Sequence, residues 1–178
     1  MTHAFHNTLD KTALIEILKY YCINSEYMNG GILIHFEMHG SENREGLILA
    51  DNSFISWFEI TELLRIININ SKNQLYVTMA TCYGRYIFRG MEMDKKTPFS
   101  GYISASKEVI VEEILGDFKI LFEDLIQSGN LVYSYLELEK QGSNFYYKDS
   151  KAVFEENFEA FKNNLEFKKQ ILELRAIK

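Results

Sequence analysis

An α/β domain with a mainly parallel sheet flanked by helices is the fold this sequence predicts, on three observations. Short apolar runs of strand character alternate with longer segments of helical periodicity. The first two clear runs, Ile32-Leu33-Ile34-His35-Phe36 and Leu75-Tyr76-Val77-Thr78-Met79-Ala80, each lead into a potentially reactive side chain followed closely by glycine. In sheets built from such alternation, ligands bind beyond the carboxyl ends of the strands. No linker, internal repeat or low-complexity stretch divides the 178 residues, so residues 1–178 read as a single domain.

Taken in order, Asp10 is a plausible N-cap for a helix to Tyr27, with Leu14, Ile17, Leu18 and Tyr21 at helical spacing. Asn29-Gly30-Gly31 breaks it. The first strand follows and ends at His39-Gly40 and a polar loop, Ser41 to Glu45. Leu47-Ile48-Leu49 reads as a short strand or hairpin arm. Ser56-Trp57-Phe58-Glu59 is a capping box that opens a helix through Ile67. The second strand ends on Thr81-Cys82-Tyr83-Gly84, and a third run, Tyr102 to Ala105, follows Pro98. Ser106 is read as the cap of a long helix carrying Ile110, Ile114, Phe118, Leu121 and Leu125, which Gly129 stops. Leu131 to Leu138 fits strand or helix. Phe145-Tyr146-Tyr147 reads as a short strand, and from Ser150 onward Phe154, Phe158, Phe161 and Leu165 predict an amphipathic helix with the phenylalanines in the core.

The composition narrows the function classes. A net charge of −6 leaves no broad basic surface, so nucleic acid is not an expected partner. Apolar runs fall far short of the ~20 residues of a membrane span, and Met1 to Asp10 lacks the apolar stretch of a secretory signal. Two cysteines, Cys22 and Cys82, make no disulfide framework. A reduced, cytoplasmic protein is expected.

The two strand ends carry the candidate chemistry. With a helix as crossover between parallel neighbours, His39 and Cys82 would face one cleft. Nucleophilic catalysis by cysteine needs that pairing: an exposed sulfur, and an imidazole to promote thiolate attack and protonate the leaving amine. Gly40, with no Cβ in the way, would let a backbone N–H approach a developing oxyanion. Either residue alone is more often a buried hydrophobe or a satisfied loop residue; together they point to catalysis.

The segments ILIHFEMHGS and QLYVTMATCYG resemble the strands that end in His-Gly and in the catalytic Cys of caspase-like cysteine peptidases. FISWFEITELLRIIN resembles the tryptophan-led helix common in the CHAT branch of that group, and the similarity runs from about Gly31 to Phe161. The resemblance implies a caspase-like three-layer sandwich and peptide-bond hydrolysis without metal or organic cofactor. It makes Cys82 the nucleophile, His39 the general acid/base, and the N–H groups of Gly40 and Cys82 the oxyanion hole. It places Ser104 and Ser106 near a substrate pocket, and implies a protein or peptide substrate. The context it implies is a regulated effector in a bacterial defence or cell-death system.

This sequence departs from the family at its front end, where a first core strand is not evident ahead of the His strand. The sheet is therefore expected to be shortened at the N-terminus, its edge completed by a regulatory partner or by self-association. The alternative to an active peptidase is a catalytically inactive caspase-like interaction module or effector-complex subunit. Glu37, two residues before His39, either orients it, lines the pocket or pairs with a basic neighbour. His35 and His39, four apart, would share a strand face and with Cys82 could ligate zinc, but no fourth ligand is apparent. His35 is read as a structural hydrogen-bonding residue behind the site, and no metal is expected.

Overall fold

The computed structural model describes residues 2–92 and 94–163. Asp10 caps α1 (Lys11–Asn24), its carboxylate accepting from the Ala13 N–H at 2.9 Å. The periodicity that predicts helix to Tyr27 ends in a tighter 3-10 turn, Ser25–Tyr27, with the Ser25 N–H donating to the Tyr21 carbonyl of α1. Next come β1 (Ile32–Glu37), β2 (His39–Gly40), β3 (Gly46–Ile48) and β4 (Phe54–Ser56). The capping box forms as expected: the Glu59 N–H donates to Ser56 Oγ and the Glu59 carboxylate accepts from the Ser56 N–H, opening α2 (Trp57–Asn70). Then follow β5 (Leu75–Ala80), a 3-10 segment (Gly84–Gly90), β6 (Gly101–Ala105), α3 (Val111–Ser128) and α4 (Leu131–Glu139). β7 (Phe145–Asp149) and α5 (Ser150–Asn163) complete the described chain.

The main sheet has the order β1-β5-β6-β7. β1 and β5 are parallel neighbours, with Glu37 opposite Ala80, and β6 runs parallel on the far side of β5. β7 closes the sheet in the antiparallel sense. Alternate side chains feed two cores, as the two-residue period of a strand demands. Leu75, Val77, Met79 and Tyr102 pack with α1 and α2, while Ile103, Ala105 and Phe145 pack with α3 and α4. The sheet thus lies between two helical layers. Ile60, Leu64 and Ile67 of α2 are fully buried, and each contributes about 2 kcal/mol by leaving water.

Three expectations are corrected and one open alternative is resolved. The first strand stops at Glu37, and a bend at Met38 sends His39–Gly40 into a separate antiparallel sheet, β2-β3-β4. The alternation that would put His35, Glu37 and His39 on one face is broken there. Ser106 does not cap α3; the helix begins at Val111 with Ile110 as its N-cap. The backbone between them is committed elsewhere, the Lys107 carbonyl accepting the Tyr83 N–H at 3.2 Å. The ambiguous stretch after Gly129 is helix α4, because Asn130 caps it through the Tyr133 N–H at 3.1 Å. In α5 Val153 is buried, whereas Phe154 is exposed. The side chains of Phe158 and Phe161, and all of Leu165, lie outside the described residues.

Candidate active site

The carboxyl ends of β1 and β5 lie side by side because the strands are parallel and in register to their last residues. Beyond β1 the chain turns through β2, and Gly40 comes hard against the turn that follows β5. A Cβ built on Gly40 would stand 1.8 Å from the Cys82 carbonyl oxygen and 3.1 Å from Thr81 Oγ1. No other residue type fits without moving one of the two backbones.

Two features of the local sequence hold that approach. Ser41, buried directly after Gly40, donates from Oγ to the Gly46 carbonyl and accepts from the N–H groups of Glu45 and Gly46, closing the β2–β3 loop. Trp57, 1% exposed at the start of α2, donates its indole N–H to the Arg44 carbonyl at 3.0 Å. The capping box that starts α2 therefore also anchors the loop behind Gly40.

Cys82 is half-buried and free, and its Sγ lies 3.8 Å from the Val109 carbonyl oxygen. Tyr83 takes up a left-handed backbone conformation, φ 58°, turning the chain from the strand end into the 3-10 segment. Its hydroxyl donates to Glu108 Oε1 at 3.0 Å, and that carboxylate raises the phenol pKa above its ordinary value. Gly40, Cys82 and Tyr83 line a cavity of about 350 Å³ together with residues of the β6–α3 loop, including Lys107, Glu108 and Val109.

His39 is solvent-exposed and pairs across β2–β3 with Ile48. Strand alternation gives it the opposite face from the Gly40 face that meets Cys82, and it does not line the cavity. Its side chain has no hydrogen-bond partner among the described residues. Glu37 is exposed at the end of β1. His35 is separate from both: its Nδ1 lies 2.9 Å from Thr78 Oγ1, and its ring packs on Phe118 and Phe122 of α3. Burial drives that imidazole down to about 4. Ser104 is 1% exposed on β6 and Ser106 half-buried in the loop; neither lines the cavity. Cys22 is buried, its Sγ donating to the Leu63 carbonyl at 3.4 Å.

Among the described residues no group of three or more His, Cys, Asp or Glu side chains is placed to hold a metal ion, and no helix is long and apolar enough to cross a membrane. Sequence reasoning missed the β6–α3 loop as a cavity wall, and also Arg44 and Tyr83. Their one legible signal was position, Arg44 in the polar loop after His39-Gly40 and Tyr83 directly after Cys82. A half-buried thiol on a cavity wall, beside a glycine-lined backbone approach, can act as a nucleophile toward an extended acyl substrate. No family model, curated protein or solved structure matches this chain.

Proposed function

We propose that the chain is a caspase-like cysteine endopeptidase, with Cys82 as nucleophile and His39 as general acid/base. The observation that carries the reading is the meeting of the two strand-end motifs: Gly40 lies against the Cys82 backbone and both line one cavity. In the reaction, the Cys82 thiolate adds to the scissile carbonyl carbon. The N–H groups of Gly40 and Cys82 stabilise the oxyanion. His39 faces away from the cavity in the free chain, so in this reading the short β2 segment rearranges when a peptide fills the cavity and brings the imidazole to the thiol. Catalytic hydrogen bonds commonly tighten only in the substrate complex. The imidazolium gives its proton to the leaving amine as the C–N bond breaks. Water, losing a proton to the same imidazole, then hydrolyses the thioester and frees the thiol.

Covalent labelling with peptide-based electrophiles, read by intact mass, tests this reading. One adduct is expected on the wild type, absent in Cys82→Ala and at least about tenfold slower in His39→Ala. Equal labelling of wild type and His39→Ala would remove His39 from the chemistry, and no selective adduct at Cys82 would remove the peptidase.

A second reading, a non-catalytic subunit of an assembly, is favoured by β1. Among the described residues it has one sheet neighbour, and Ile32, Leu33 and Ile34 are only half-buried. An apolar edge of this kind invites pairing with another chain. Sedimentation across a concentration series tests the assembly, and assembly without a selective adduct at Cys82 is the outcome that favours the subunit over the peptidase.

A further inference from the structure

Beside the Cys82 cavity stands a cluster that the chemistry above does not use. Arg44, from the β2–β3 loop, lays its guanidinium over the rings of Tyr83 at 4.9 Å and Tyr86 at 5.2 Å, and Nη1 donates to the Tyr86 hydroxyl at 3.1 Å. Arg89, from the 3-10 segment, lies over the same Tyr86 ring at 4.9 Å and donates from Nη1 to the Arg44 carbonyl at 3.3 Å. Both arginines are exposed. Neither has an Asp or Glu within ion-pair distance among the described residues.

The two guanidiniums thus stand side by side without an ion-paired carboxylate, in a chain where acidic residues outnumber basic ones by 25 to 19. Sharing one tyrosine ring, they repel each other. The ring contacts restrain both guanidiniums while leaving N–H donors free at their edges, which suits a carboxylate fork. An entering carboxylate would accept from those donors and relieve the repulsion. Tyr83 belongs to both places, since it underlies Arg44 and lines the cavity. A ligand group held on this shelf therefore lies next to whatever fills the cavity. The cavity wall itself has Glu42, Glu108 and Glu113 against Lys107, which turns an acidic group away from the cavity and toward the arginines.

We infer that Arg44 and Arg89 bind an acidic residue of a peptide whose neighbouring residue occupies the Cys82 cavity. Naming that peptide a substrate rests on the peptidase reading; the binding itself does not. The test is fluorescence anisotropy with full-length Cys82→Ala protein, a fluorescein-labelled glutamate-rich peptide and its glutamine counterpart. The glutamate peptide is expected to bind more tightly, with affinity falling as salt rises. The double variant Arg44→Gln/Arg89→Gln is expected to bind it about tenfold more weakly, and Lys119→Gln, an exposed change on α3 away from the cavity, to match the parent. Arg89→Gln alone, an exposed change that leaves the Trp57 bond to the Arg44 carbonyl in place, gives a partial loss even if the double variant proves unstable. Equal binding of the two peptides, no binding of either, or undiminished affinity in Arg89→Gln overturns the shelf. Because no hydrolysis is read, failure here leaves Cys82 labelling as a separate test of the peptidase.

Discussion

Gly40 approaches the Cys82 carbonyl so closely that a single added methyl group would overlap it, at 1.8 Å from the oxygen. The contact is backbone to backbone, so no rotamer change relieves it. Gly40→Ala should destabilise the fold by about 3 kcal/mol, the upper part of the overpacking range. It should also separate β2 from the turn after β5, making Cys82 more accessible. A small alkylating reagent will then modify Cys82 faster than in the wild type under native conditions. An unchanged unfolding midpoint in urea would show that the two segments are not in contact in solution.

His35 predicts an acid-sensitive fold. Burial against α3 pushes its pKa from 6.5 to about 4, with hydrogen bonding to Thr78 offsetting part of the shift. Because the folded value lies below the unfolded one, the unfolded chain binds more protons between them. Stability is therefore full above the unfolded pKa, declines as pH falls from 6.5 toward about 4, and is flat in this respect below that. The contribution amounts to about 3 kcal/mol at most. Urea midpoints at about pH 7.5 and about pH 5 should differ for the wild type and converge in His35→Gln, whose amide can still bond Thr78. The same slope in both proteins would assign the acid sensitivity to other groups.

Local chemistry explains which parts of this architecture were legible beforehand. Asp10, the Ser56–Glu59 box and Gly129 act through backbone groups within a few residues, so their effect is written in adjacent letters. The β1 and β5 runs read correctly because a strand buried beside another is apolar along its length. The site was harder, since its walls come from segments far apart in sequence. Nothing near Ser106 announces that the Lys107 and Val109 carbonyls will meet Tyr83 and Cys82, which keeps the chain out of helix until Val111. The bend at Met38 was equally hidden. Beyond it Leu47 and Ile55 of the small sheet, and Leu49 just after β3, join the core that α2 also packs, which brings together residues from separate stretches of sequence.

Trp57 links the start of α2 to the loop behind Gly40, and Trp57→Phe isolates that link. The phenyl ring keeps most of the buried volume and loses the N–H that donates to the Arg44 carbonyl. The expected loss is about 1–2 kcal/mol, from one hydrogen bond plus a small cavity. The amides of Glu45 and Gly46, which donate to Ser41 Oγ, should exchange with solvent faster. Unaltered exchange at those two amides would place the loop's rigidity in the Ser41 hydroxyl alone.

Ser104 offers the opposite kind of test. Its hydroxyl is buried in β6, the residue being 1% exposed, and has no hydrogen-bond partner among the described residues. Its Cβ lies 3.3 Å from the point where a Cβ on Gly84 would stand, so this side chain packs beneath the segment that follows Cys82. A hydroxyl taken out of water without a partner costs free energy that alanine does not. Ser104→Ala should therefore leave stability unchanged or raise it by up to about 1 kcal/mol, with Cys82 labelling at the wild-type rate. A clear loss of stability would mean that the hydroxyl has a partner in solution. Slower labelling at unchanged stability would instead mean that it reaches the reagent bound at Cys82. Packed away from the cavity wall, Ser104 is expected to do neither.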